Sequence, residues 1–116
     1  MKSITTARVY QFRKDLVAGS YDLIVLDVLR EGPAYGYSIR QHVFVQSKHT
    51  LLWRMSTIYN VLHDLERQKL VTSDWRSPKV GRQRRYYELT ARGHRVWREQ
   101  RQEWRAFVDA VNALVS

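Results

Sequence analysis

The chain has 116 residues, no cysteine, 44% hydrophobic and 12% aromatic side chains, and a formal charge of +9 with a pI near 10.3. These totals fit one folded domain with one modest core, and they exclude a disordered chain, a disulfide framework and a thiolate metal site. No apolar run reaches the roughly eighteen residues a membrane span needs, and the opening MKSITTARVYQFRKD lacks the apolar centre of a secretory signal, so a cytoplasmic protein is expected.

Along the chain, Val9, Phe12 and Leu16 recur at helical spacing among basic residues, which predicts a helical arm within residues 1–19 that needs a partner surface to become ordered. Ser20 is placed to cap the next helix, whose Leu23–Leu29 stretch (LIVLDVL) is apolar on most sides and belongs at the centre of the core. Gly32-Pro33 ends it, and a second helix begins around Tyr35-Gly36-Tyr37 and runs to about Gln46, with Ile39 and Val43 inward. Residues 50–55 (TLLWRM) can form a short third strand. A third helix opens at Ser56, a candidate N-cap, and aligns Ile58, Leu62 and Leu65 with Val61 beside them. Leu70–Trp75 and Gln83–Leu89 alternate as strands around a turn holding Ser77, Pro78 and Gly81. Thr90 then caps a last helix of about 25 residues with Trp97, Trp104 and Val111 at sevenfold spacing.

A capped amphipathic helix followed at once by a cationic hairpin is the working end of a winged helix-turn-helix. The expected fold is therefore mainly α with a small β-hairpin. Its parts are an N-terminal helical arm (1–19), a winged helix-turn-helix DNA-binding domain (20–89) and a C-terminal dimerisation helix (90–116). Charge placement agrees. From Arg76 to Arg105 there are ten Lys/Arg and three Glu, so 10 − 3 = +7 of the +9 is concentrated there. A focused positive field suits a polyanion, although a generic solvated basic surface gives the same totals.

On the third helix the residues outside the core stripe are Thr57, Tyr59, Asn60, His63 and Asp64. Uncharged donors and acceptors in the first turns are what major-groove readout needs, and Ser56 with the free N–H groups there can hold a phosphate. An ordinary solvated face has the same composition. In the hairpin, Lys79, Arg82, Arg84 and Arg85 crowd the turn; Lys79 and Arg82 are the simplest phosphate contacts, while alternation sends Arg84 and Arg85 to opposite faces. One of those two can instead pair with a carboxylate or lie on Trp75, Tyr86 or Tyr87.

The last helix carries an arginine ladder, read as a solvated outer face. Its other side, with Trp97, Trp104, Phe107, Val108, Val111 and Leu114, exceeds what a terminal helix can bury on so small a core, and marks a homodimer interface shared with Val9, Phe12 and Leu16. The same tryptophans can hold a planar aromatic or phenolic effector at the dimer seam, or simply fill it. Catalytic and metal-site patterns are absent: the four His (42, 49, 63, 94) show no ligand spacing, and there is no nucleophile elbow or phosphate-binding glycine loop. Two other readings stay open: a winged-helix protein that coats nucleic acid without reading sequence, and a protein-interaction module.

Several segments together resemble the PadR family of bacterial transcriptional regulators over residues 20–115. They are Glu31-Gly32-Pro33, Tyr35-Gly36-Tyr37-Ser38-Ile39, Ser56-Thr57-Ile58-Tyr59, Leu62-His63-Asp64-Leu65-Glu66, Gly81-Arg82, and Arg85-Tyr86-Tyr87-Glu88-Leu89-Thr90 through Gly93. The resemblance implies a homodimeric repressor of operator DNA, released by a small molecule or stress signal, with the dimer formed by the C-terminal helix. That helix being single, the chain looks like the short-tailed subgroup, which includes multidrug-sensing members with tryptophans at the dimer pore. It also implies a phosphate contact by Tyr37, a recognition-helix start at Ser56, Thr57 and Tyr59, and wing contacts by Arg82 with Arg84 or Arg85. Asn60 and Gln83 stand where Pro is frequent in the family. Asn60 adds a donor–acceptor pair able to read adenine, so an operator is not transferable from relatives.

Overall fold

The computed structural model describes residues 12–77 and 81–115. Among the described residues, five helices and three strands follow in the order α1 (Lys14–Val17), α2 (Tyr21–Leu29), β1 (Ala34–Tyr35), α3 (Gly36–Gln46), α4 (Met55–Arg67), β2 (Val71–Arg76), β3 (Arg84–Leu89) and α5 (Ala91–Leu114). The strands form one antiparallel sheet in the order β1-β3-β2. This is the winged helix-turn-helix, mostly helical with a small sheet, expected from the sequence.

The core is built from the stripes that the periodicity marks. Helix α2 buries Val25, Leu26, Val28 and Leu29; α3 buries Ile39 and Val43; α4 buries Ile58, Val61, Leu62 and Leu65. Each such side chain contributes about 1.5–3 kcal/mol by leaving water. The sheet closes the other side with Leu70, Val71, Tyr87 and Leu89. Among the described residues no buried side-chain polar atom lacks a hydrogen-bond partner.

Local chemistry sets the boundaries. Ser38 Oγ accepts from the Tyr35 N–H at 3.1 Å and donates to the Tyr35 carbonyl at 2.8 Å, closing the start of α3. Thr90 caps α5 as expected: its Oγ1 accepts from the Gly93 N–H at 3.0 Å and donates to the Lys69 carbonyl at 2.8 Å. Gly93 has no space for a side chain, because a Cβ there would lie 2.0 Å from the Leu70 carbonyl oxygen. The start of α5 is thereby pressed onto the turn that leads into the wing.

Three expectations need correction. Ser56 does not cap α4: the helix begins at Met55 with Arg54 as extended N-cap, and the Arg54 carbonyl accepts from Thr57 and Ile58 N–H. Met55 packs on the core, and the N-cap sits two residues earlier than expected, at Arg54 instead of Ser56. Ser20 precedes α2, but its hydroxyl donates back to the Val17 carbonyl at 2.8 Å instead of capping. Residues 50–54 are not a strand; Trp53 is buried there and its carbonyl accepts from Arg40 Nε at 2.8 Å. The third strand is Ala34–Tyr35, paired with Tyr87 and Tyr86 on the free edge of β3. Of the helical arm, the described part is the single turn α1; Val9 lies outside the described residues, as does Lys79 in the wing.

Candidate nucleic-acid interface

Three elements converge on one cleft of about 420 Å³: the start of α3, the outer face of α4 and the wing. Tyr37, Tyr59, His63, Trp75, Arg82, Arg84 and Arg85 line it. Gly36 makes the convergence possible. A Cβ at Gly36 would lie 2.9 Å from Tyr59 Cε1 and Oη, so glycine lets the Tyr59 ring rest on the first turn of α3. The ring remains 44% exposed, available to a ligand yet fixed in place.

The wing residues separate by strand alternation. Arg84, with Tyr86 and Glu88, belongs to one face of β3, and its guanidinium carbon lies 4.6 Å over the Tyr35 ring. Tyr35 meets Tyr86 edge-on at 5.3 Å, and Arg76 covers Tyr86 at 5.1 Å while pairing with Asp74 and Glu88 at 3.2 and 3.3 Å. Arg85 belongs to the other face. Its Nε donates to Ser73 Oγ at 2.9 Å, and its guanidinium lies 5.8 Å from Trp75 and 5.9 Å from Tyr87. No carboxylate among the described residues pairs with Arg82 or Arg84.

Not every expected contact shares this cleft. Ser56 and Asn60 are exposed on α4 and Thr57 is half-buried. Asn60 lines a separate hollow on the α2 side with Tyr21, Asp22, Asp64 and Arg67, and His63 borders both hollows. Burial pushes the Asp22 carboxyl above its ordinary value, and the nearby Asp64 carboxylate pushes it the same way. In the cleft, burial raises the Tyr87 phenol, opposed by Arg85 and aided by Glu66 and Tyr59. Tyr35 and Trp75 were not singled out as site residues from the sequence. Trp75, 60% exposed on a strand, carries the clearer signal, since an aromatic so placed has no core to fill.

The residues expected at a dimer interface divide in two. Trp97 is half-buried against the core, its Nε1 donating to Asp27 Oδ1 at 2.9 Å. Phe12, Leu16, Trp104, Phe107, Val111 and Leu114 are exposed, and Val108 is half-buried. Leu16, Trp104 and Phe107 border a groove between α1 and α5. Among the described residues no three His, Asp or Glu gather as metal ligands, and no helix is long and apolar enough to cross a membrane.

Comparison with known proteins agrees with this geometry. The Transcriptional regulator PadR-like family matches residues 25–99, well over half the chain. A PadR family transcriptional regulator from Eggerthella lenta is 32% identical, with 88% of this chain and 87% of that one covered and a TM-score of 0.75. A transcriptional regulator from Clostridium thermocellum shares the fold with a TM-score of 0.81 at 24% identity, over 91% of this chain and all of that one (100%). An uncharacterized protein of Lysinibacillus sphaericus is 28% identical over 92 residues, which is 79% of this chain and 84% of the relative. A winged helix with an exposed polar face on α4 and a cationic wing, matched over this length, is a DNA-binding transcription regulator and no enzyme: the chain belongs to the PadR-like family of transcriptional regulators.

Proposed function

We propose that this chain acts as a homodimer on a two-fold-symmetric operator in double-stranded DNA, as a cytoplasmic repressor whose grip is loosened by a small molecule. The observation that carries the reading is the convergence of Tyr37, Tyr59 and His63 with Arg82 and Arg84 around one exposed cleft. In it, α4 enters the major groove and reads base edges through Tyr59, Asn60 and His63, with Ser56 and Thr57 at the helix start. Tyr37, Arg82 and Arg84, with Lys79 in the same wing, supply the phosphate side, where each phosphate neutralised steepens the log–log salt dependence by about 0.9.

The exposed apolar side of α5 supports the dimer. Leu114 is 83% and Phe107 60% exposed, a heavy cost in water unless a second copy covers them. Two-fold pairing would set the two α4 helices at half-sites about 34–36 Å apart. Beside Trp104 a hollow of about 360 Å³ runs between α2, α3 and α5, with Arg101 and Arg105 at its rim. A planar aromatic or phenolic effector lodged at this seam would shift α5 against α2 and change the spacing of the recognition helices. A coupling of about 1–3 kcal/mol would release the operator roughly 5–150-fold.

The test is direct. Tyr59→Ala and Asn60→Ala should weaken binding to a selected operator while leaving binding to unrelated duplex nearly unchanged. Equal losses on both would overturn sequence readout and leave a coating protein.

A further inference from the structure

The wing and the recognition helix are joined by more than the chain between them. Glu66, in the last turn of α4, accepts from Ser73 Oγ on β2 at 2.7 Å through Oε2. Ser73 Oγ in turn accepts from Arg85 Nε on β3 at 2.9 Å. The second Glu66 oxygen lies 3.8 Å from an Arg85 terminal nitrogen, which makes the three side chains a closed ring across three elements. Ser73 and Trp75 face Tyr87 and Arg85 across the β2–β3 ladder, so the ring sits on the sheet face turned toward α4. Arg85 is held there on three sides, by the Glu66 carboxylate, the Ser73 hydroxyl and the Trp75 and Tyr87 rings. Arg84 lies over the Tyr35 ring, and among the described residues no carboxylate pairs with it.

We infer that Glu66, Ser73 and Arg85 form a bracket fixing the wing's angle to the recognition helix. Arg85 is thus a positioning residue for DNA binding, and the phosphate-facing charge of the described wing comes from Arg82 and Arg84. The inference rests on the operator-binding reading above. An arginine whose Nε already donates to a hydroxyl and whose terminal nitrogen pairs with a carboxylate at 3.8 Å must loosen both to turn toward a phosphate, whereas no carboxylate among the described residues holds Arg82 or Arg84. The bracket also has a sign that simple charge does not. Removing Glu66 takes a negative charge from beside the cationic wing, which by itself tightens binding to DNA. Loss of the bracket weakens it.

The experiment compares full-length wild type with Arg82→Ala, Arg84→Ala, Arg85→Ala, Glu66→Ala, Ser73→Ala and the Glu66→Ala/Arg85→Ala double variant. Affinity for a selected operator is measured across a salt series, with the active fraction fixed by stoichiometric titration so that misfolded protein is not counted. Arg82→Ala and Arg84→Ala should each flatten the log–log salt slope by about 0.9. Arg85→Ala, Glu66→Ala and Ser73→Ala should keep the wild-type slope yet each bind about tenfold more weakly, and the double variant should lose little more than either single change. A flattened slope in Arg85→Ala, or tighter binding by Glu66→Ala, overturns the bracket and makes Arg85 a phosphate contact. If wild type selects no operator, the operator reading itself falls; if it selects one and only the slopes disagree, the bracket alone falls.

Discussion

Trp97 and Trp104 stand seven residues apart on α5, and they live in different surroundings. Trp97 is half-buried, hydrogen-bonded to Asp27, and flanked by the guanidinium groups of Arg30 at 5.6 Å and Arg101 at 5.4 Å. Trp104 is 43% exposed and has Phe107 as its ring neighbour at 6.4 Å. The same spacing therefore has two meanings. In its first turns α5 is covered by its own chain, pinned through Gly93 and Trp97 to the winged-helix core. Beyond them Phe107 and Leu114 stand mostly exposed, and in the proposed homodimer a second copy would cover them.

Each half of that comparison can be broken separately, and the largest effect belongs to the pinned half. Gly93→Ala would drive a Cβ into the Leu70 carbonyl, and it should cost about 3 kcal/mol or more, read as a fall in thermal midpoint with α5 prised from the wing. Trp97→Ala should come next, at about 2–3 kcal/mol, since it removes a half-buried indole and leaves the Asp27 carboxylate one donor short. In the uncovered half, Phe107→Glu with Leu114→Glu should leave the helical circular dichroism and domain fold as they are, and convert dimers to monomers in sedimentation equilibrium. Domain unfolding as severe as that of Gly93→Ala would mean the distal helix is part of the monomer's core.

The smallest effect lies at the α2–α4 contact. Asp22 has its folded pKa raised above 3.8 by burial and by Asp64, so the folded state holds this proton more tightly than the unfolded one. Stability is then lost as pH rises from 3.8 through the raised value, because ionisation is harder in the fold. Asp22→Asn should remove that decline: slightly more stable than wild type at neutral pH by denaturant titration, with the difference vanishing as pH falls below 3.8.

Much of this was legible in the sequence because it depends on local periodicity. Ile58, Leu62 and Leu65 announce α4 without help from the rest of the chain, and Thr90 announces the start of α5. Alternation placed Arg84 and Arg85 on opposite faces. Features made by distant partners were not legible. Strand β1 is two residues long and exists only because Tyr86 and Tyr87 offer a free edge some fifty residues later. Met55 starts α4 ahead of Ser56 because of core packing, which capping preference does not register. The Glu66–Ser73–Arg85 ring joins three elements with no shared motif, and Trp97 was read with Trp104 because spacing does not say what lies opposite.

The most direct measurement is selection of bound duplexes from a random pool by the purified protein, followed by the stoichiometry of the selected complex. Two chains per duplex and a motif repeated with two-fold symmetry at one helical turn, or a multiple of it, are the result expected. A pool that stays random, or a single chain per site on an asymmetric sequence, would contradict it.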